Sequence, residues 1–186
     1  MLKITAIYTE QALQGEVDQS GLYDSLQAFL NAFPGGTAVI VTNAESGKIQ
    51  DKLANQHWCK DRCFIVPYAG KCPALAFCHG LAYCSEGYFT IPQLSASDFT
   101  YSVHKIADAS GHSPVITLTT SGQSNHKLST REFLSGPLAF SSALLASYPI
   151  RRATPEGLEK WLSTIIENEP VADACQMSEA QSLKVA

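Results

Sequence analysis

The chain has 186 residues, of which 45% are hydrophobic and 16% charged, and its formal net charge is −4. This is the usual length of one domain, with enough apolar side chains for one core. The densest basic spot is the pair Arg151-Arg152. A nucleic-acid-binding face needs a larger basic patch to displace counterions, so we expect no nucleic-acid partner. No apolar run approaches the roughly 20 residues that cross a bilayer, so we expect no membrane span.

The N-terminus enters directly into a strand-like alternation of side chains. It lacks the charged region, apolar region and small-residue cleavage site of a secretory signal. We therefore expect a cytoplasmic location.

The first half of the chain alternates predicted strands and helices. Leu2 to Thr9 is predicted to be a strand, and Gly21 to Phe33 a helix with its apolar residues on one side. The β-branched run Thr37 to Thr42 is typical of a strand buried on both faces. Cys63 to Pro67 is a third strand, whereas periodicity alone leaves Pro73 to Cys84 open between helix and strand.

The second half continues the alternation. A hairpin-like segment is predicted at Tyr88 to Leu94, a helix near Ser97 to Ala109 and a buried strand at Val115 to Thr120. A capping-box pattern at Ser129 predicts a helix that continues to Ser147. Thr154 followed by proline is the clearest helix start in the chain.

Such alternation favours an α/β fold: a three-layer sandwich whose mainly parallel central sheet is flanked by helices, in a caspase-like or other Rossmann-like order. We expect one domain over residues 1–169. Residues 170–186 are polar and small, which predicts a disordered C-terminal tail. Binding sites in such sheets lie at the carboxyl ends of the strands.

A dense group of cysteines and two histidines occupies the middle of the chain: Cys59, Cys63, Cys72, Cys78, Cys84, His57 and His79. Structural zinc sites favour cysteine pairs two to four residues apart, and only the first two cysteines have such a spacing. Buried, reduced thiols that act as small apolar side chains are the favoured interpretation. We therefore expect neither a metal site nor a cofactor.

The segment from Ala74 to Asn125 resembles the core of the caspase-like peptidases, most closely their CHAT branch. The pieces occur in the family's order: ALAFCHG, a hydrophobic strand that would end in His79-Gly80, then EGYFTIPQL, a helix, and VITLTTSG. The resemblance implies that His79 is the general base, that the Gly80 amide helps to bind an oxyanion, and that Ser121 lies at the nucleophile position. Family members have cysteine there, and a serine hydroxyl is a far weaker nucleophile than a thiolate.

Three functions remain open at this point. The first is a caspase-like peptidase domain, hence a hydrolase, or a degenerate non-catalytic relative of one, with a site at His79 and Ser121. The second is a non-catalytic interaction or regulatory module that binds a protein or peptide partner. The third is a small-molecule or nucleotide-binding domain that uses the loops after Thr9 and Thr42.

Overall fold

The computed structural model describes residues 3–9, 19–42, 51, 53–84, 86–90, 113–117 and 138–173, and the statements below concern these residues. The strands are Ile4–Thr9 (β1), Thr37–Thr42 (β2), Cys63–Pro67 (β3), Tyr88–Thr90 (β4), Val115–Thr117 (β5), Leu138–Ser141 (β6) and Val171–Asp173 (β7). The α-helices are Gln19–Ala32 (α1), Pro73–Leu81 (α2), Leu144–Ser147 (α3) and Pro155–Asn168 (α4), and a short 3₁₀ helix spans His57–Cys59.

The strands form one sheet in the order β3-β2-β1-β4-β6-β5-β7. The pairs β1 with β2, β1 with β4, β2 with β3 and β5 with β7 are parallel, whereas β6 is antiparallel to both of its neighbours. The predicted α/β class with a mainly parallel sheet is therefore confirmed. The chain adds β2 and β3 on one side of β1 and then crosses to the other side to form β4.

Helices cover both faces of the sheet because successive strand residues point to opposite sides. In β1, Ile4, Ala6 and Tyr8 belong to a core cluster with the apolar side of α1. Ile7 belongs instead to a cluster with α2 and α4 that includes Trp161. Because β1 has apolar residues on both sides, helices pack on both faces of the sheet and the fold has three layers. The continuous apolar runs of the sequence predicted strands buried on both faces.

Arg62 closes the C-terminal end of α1. Its Nη2 donates to Leu30 O at 2.6 Å and to Phe33 O at 3.1 Å, and its Nε donates to Gly36 O at 3.0 Å. The last carbonyls of a helix have no partner within the helix. A cation there also interacts favourably with the partial negative charge at the C-terminal end of the helix dipole. One side chain from the turn before β3 therefore fixes the α1–β2 connection.

The helix predicted from Ser129 to Ser147 is wrong over its second half, and its first half lies outside the described residues. Leu138–Ser141 is strand β6, which pairs with β4 and β5, and only Leu144–Ser147 is helical. Ala139 and Phe140 are fully buried in the sheet. Burial between two strands outweighed the local helix signal, as tertiary context commonly does.

Strand β7 lies within the segment that the sequence predicted to be a tail. Val171–Asp173 pairs in parallel with β5, and Val171 lies opposite Val115. The ordered sheet therefore extends past residue 169, while residues 174–186 lie outside the described part of the chain. In the parts described, none of the helices is both long and apolar enough to cross a membrane.

Candidate functional site

The carboxyl ends of β1, β2, β3 and β4 lie at one edge of the sheet because these strands are parallel. Thr9 ends β1, Thr42 ends β2 and Thr90 is the last described residue of β4. The strand order reverses direction between β1 and β4, since β1 has β2 on one side and β4 on the other. In open α/β sheets, a ligand crevice forms at such a reversal, outside the carboxyl ends of the strands.

Thr90 lies at the carboxyl end of the described part of β4. It lies opposite Ala6 of β1, its side chain is fully buried, and its Oγ1 has no hydrogen-bond partner among the described residues. By contrast, Thr5, one residue before Ala6 in β1, is also buried, but its hydroxyl lies 3.0 Å from that of Thr37. Leaving a buried hydroxyl unpaired costs about 1–3 kcal/mol, so an orphan of this kind calls for an explanation.

The strand-end position predicted for His79 is wrong. His79 lies in α2 with an exposed imidazole, and its ring centroid is 5.1 Å from that of Tyr68. The segment is helical because Pro73 occupies the first turn and the buried residues, such as Ala76 and Phe77, share one side. Ser121 lies outside the described residues, so the pairing of His79 with Ser121 stays a prediction.

Gly80 has a packing role in the structure. A Cβ built on it would overlap Cγ2 of Ile7 and lie 3.3 Å from Cγ2 of Val41. Only glycine lets α2 approach β1 and β2 this closely. The His-Gly pair of the sequence is therefore an exposed helical side chain followed by a helix–sheet contact.

The cysteines of the described residues are free thiols, and two of them have a strongly raised pKa. Burial and the neighbouring Cys59 thiol raise the pKa of Cys63 to about 12, and burial raises the pKa of Cys84 to about 11. The Cys59 thiol itself donates to Leu53 O at 3.0 Å. Within the described ranges, no three Cys, His, Asp or Glu side chains are grouped so that they could hold a metal ion.

Comparison with known proteins gives likenesses in structure alone. No protein-family profile matches the sequence, and neither does any curated protein. The fold resembles that of 4-diphosphocytidyl-2C-methyl-D-erythritol synthase from Anaerococcus prevotii, with a TM-score of 0.56 and 14% identity over 92% of this chain and 88% of the synthase. It also resembles HddC from Yersinia pseudotuberculosis, with a TM-score of 0.52 and 11% identity over 89% of this chain and 100% of HddC.

These likenesses establish the fold and overturn one sequence interpretation. Neither protein is a caspase-like peptidase, so the resemblance to that family is wrong, and the peptidase or hydrolase function based on it is wrong as well. The matching motif is short, and its most distinctive part, the pair His79-Gly80, requires His79 to lie at the end of a strand. That position lies in α2 instead.

Sequence reasoning missed Thr90. The segment that contains it was predicted to be a hairpin, so its strand end was not considered as a site. The run Tyr88-Phe89-Thr90 between Gly87 and Pro92 has the aromatic and β-branched composition of a buried strand, which was the available signal. Its position beside β1 depends on pairing with a strand more than eighty residues earlier, which periodicity does not reveal.

Proposed function

We propose that this chain is a nucleotide-binding α/β domain whose site is the crevice at the carboxyl ends of β1 and β4. The observation that carries the proposal is the reversal of strand order at β1. Crevices at such reversals hold nucleotides in other doubly wound sheets. The loop that follows Thr9, which the sequence indicated as a binding loop, leaves β1 at this crevice.

Two further observations support the proposal. The buried Thr90 hydroxyl has no partner among the described residues, so a ligand group or a ligand-bound water would satisfy it. The synthase with the same fold is named for a diphosphocytidyl compound. A cytidine nucleotide is therefore the first ligand to test.

The test is a calorimetric titration of the full chain with CTP, and with ATP, GTP and UTP for comparison, in the presence of Mg²⁺. We expect saturable binding of at least one nucleotide. Thr90→Val keeps the side-chain shape but removes the hydroxyl, and should weaken binding by about threefold to tenfold, the worth of one hydrogen bond.

The matched control is Thr37→Val, which makes the same chemical change at the amino end of β2. It should leave nucleotide affinity unchanged. The proposal fails if none of the four nucleotides binds, or if the Thr90 variant binds as tightly as the unaltered chain.

We also propose a cytoplasmic location, which the free thiols of the described cysteines support because disulfides are rare in that compartment. Cell fractionation against a cytoplasmic marker would test it. The predicted protein or peptide partner stays a prediction, and so does the predicted lack of a nucleic-acid partner.

A further inference from the structure

A groove of about 830 Å³ lies between α4 and the segment 147–154 that precedes it. We call it the basic groove. Its described lining residues are Ser147, Tyr148, Pro149, Arg151, Arg152, Thr154, Glu156, Gly157, Lys160, Trp161 and Thr164. The volume is within the range of about 300–1,000 Å³ that is typical of small-molecule sites.

The charges of the basic groove are unbalanced. Three exposed cations line it, namely Arg151, Arg152 and Lys160, together with a single carboxylate, Glu156. Within the described part of the chain, none of the three cations forms an ion pair. The chain as a whole has a net charge of −4 and only 13 basic residues, so this concentration of positive charge is local. Such a concentration attracts multiply charged anions.

The backbone of the groove is held at two points, one of them in the core. Trp161 Nε1 donates to Tyr148 O at 2.6 Å, while the indole ring stacks within the buried aromatic cluster. At the other point, Gly157 packs so closely on Arg152 that a Cβ there would lie 2.8 Å from the arginine Cβ. The groove is therefore formed before any ligand arrives, which lowers the entropy cost of binding.

Side chains supply most of the donors at the start of α4. Pro155 has no N–H, and the Gly157 N–H already donates to Thr154 Oγ1 at 3.1 Å. The Glu156 N–H, two adjacent guanidinium groups and an ammonium remain, and the three side chains carry the positive charge. Guanidinium groups bind phosphate oxygens through paired hydrogen bonds, and the lysine adds a point charge.

We propose that the basic groove binds a small molecule that carries an oligophosphate group. Three cations that line one groove favour an anion with several charges over a singly charged one. Because these cations are exposed, the rest of the ligand can extend into solvent. Trp161, whose indole N–H contributes to the groove wall, packs over β4 and β6, so the groove lies on the helix layer that covers these strands. The segment before α4 reaches the carboxyl edge of the sheet, because Cys72 Sγ, which follows β3, donates to Ala153 O at 3.6 Å. The groove differs from the crevice in its lining, since none of its described lining residues belongs to β1 or β4.

The test is calorimetric binding of inorganic triphosphate to the full chain at low ionic strength. Arg152→Gln and Lys160→Gln should each weaken binding by about tenfold, the worth of one charge-assisted hydrogen bond. Glu156→Gln removes the only described carboxylate of the groove and should tighten binding. Lys60→Gln is the matched control, because it removes an exposed cation elsewhere and should change nothing.

The arms of the experiment separate this site from the proposed nucleotide site. Triphosphate binding that responds to the groove variants and not to Thr90→Val supports the proposal whether or not nucleotides bind at the crevice. If inorganic triphosphate does not bind, or if the groove variants bind it like the unaltered chain, the proposal is overturned.

Discussion

Gly80 of α2 lies directly against Ile7 of β1, so closely that a single methyl group at Gly80 would overlap Cγ2 of Ile7. Ile7 is 1% exposed and lies in the middle of the sheet, where a β-branched side chain has little freedom to move. This contact sets the distance between the helix layer and the sheet.

Gly80→Ala should destabilise the protein. An exposed helical glycine replaced by alanine gains about 1 kcal/mol, but forcing a methyl group into a packed contact costs about 1–3 kcal/mol, and the contact here is too short to relax cheaply. We expect a net loss in the free energy of unfolding, measured by urea denaturation. Ile7→Ala removes the opposing methyl group, so in that background Gly80→Ala should no longer destabilise. An equal loss in both backgrounds would contradict the packing role.

Thr90→Val should raise stability while it lowers nucleotide affinity. Valine has the same shape and leaves no buried hydroxyl unpaired, so the free energy of unfolding should rise by about 1 kcal/mol. Thr5→Val in the neighbouring strand is the matched comparison, because that hydroxyl has a partner in Thr37. It should lower stability instead. Thermal and urea unfolding of both variants decides the sign, and a destabilised Thr90 variant would show that its hydroxyl is already satisfied.

Arg62→Met should destabilise the α1–β2 connection. Methionine keeps much of the apolar stem but donates no hydrogen bond, so the carbonyls of Leu30, Phe33 and Gly36 lose their shared donor. We expect a loss of about 2 kcal/mol, since hydrogen bonds from charged groups are worth about 1.5–3 kcal/mol and water replaces part of them. Lys60→Met, at an exposed position nearby, should change the free energy of unfolding by less than about 0.5 kcal/mol. Similar effects from both variants would refute this role of Arg62.

Stability should fall at alkaline pH. The pKa of Cys63 rises from about 9 to about 12 in the folded chain, and that of Cys84 rises to about 11. The folded state then holds these protons more tightly than the unfolded state. Their contribution is complete below pH 9 and is lost as pH rises from about 9 to 12, at up to about 1.4 kcal/mol per pH unit for each proton.

Urea denaturation at several pH values tests this titration effect. Cys63→Ala should lower stability at neutral pH by creating a small cavity, yet make the decline above pH 9 shallower. An unchanged slope in this variant would mean that Cys63 does not titrate in this range.

The sequence predicted the elements that depend on local chemistry and missed those that depend on distant pairing. Strand β2 and the start of α4 at Thr154 were confirmed, since a β-branched run and a capped proline act within a few residues. Strand β6 was missed because it forms by pairing with β4 and β5, which come from distant parts of the chain.

The candidate site was less accessible to sequence reasoning than the fold. His79 attracted attention because a histidine followed by glycine is conspicuous, whereas Thr90 is an ordinary residue made notable by its burial and lack of a described partner. The pair Arg151-Arg152 was visible as the densest basic spot. Its connection with Lys160 required the geometry of α4 and the segment before it.

The position of β6 also has a consequence for synthesis on the ribosome. Strand β5 pairs in the structure with β6 and β7, and both of these follow it in the chain. At a translation rate of about 5–20 residues per second, β5 waits about one to five seconds before β6 has been made. Val115 and Ile116 are fully buried in the finished sheet, and neither of the two strands that pair with β5 in the structure exists during that time. A chaperone acting on the nascent chain would therefore find its apolar target at β5, while β1, β2 and β3 can already pair with one another.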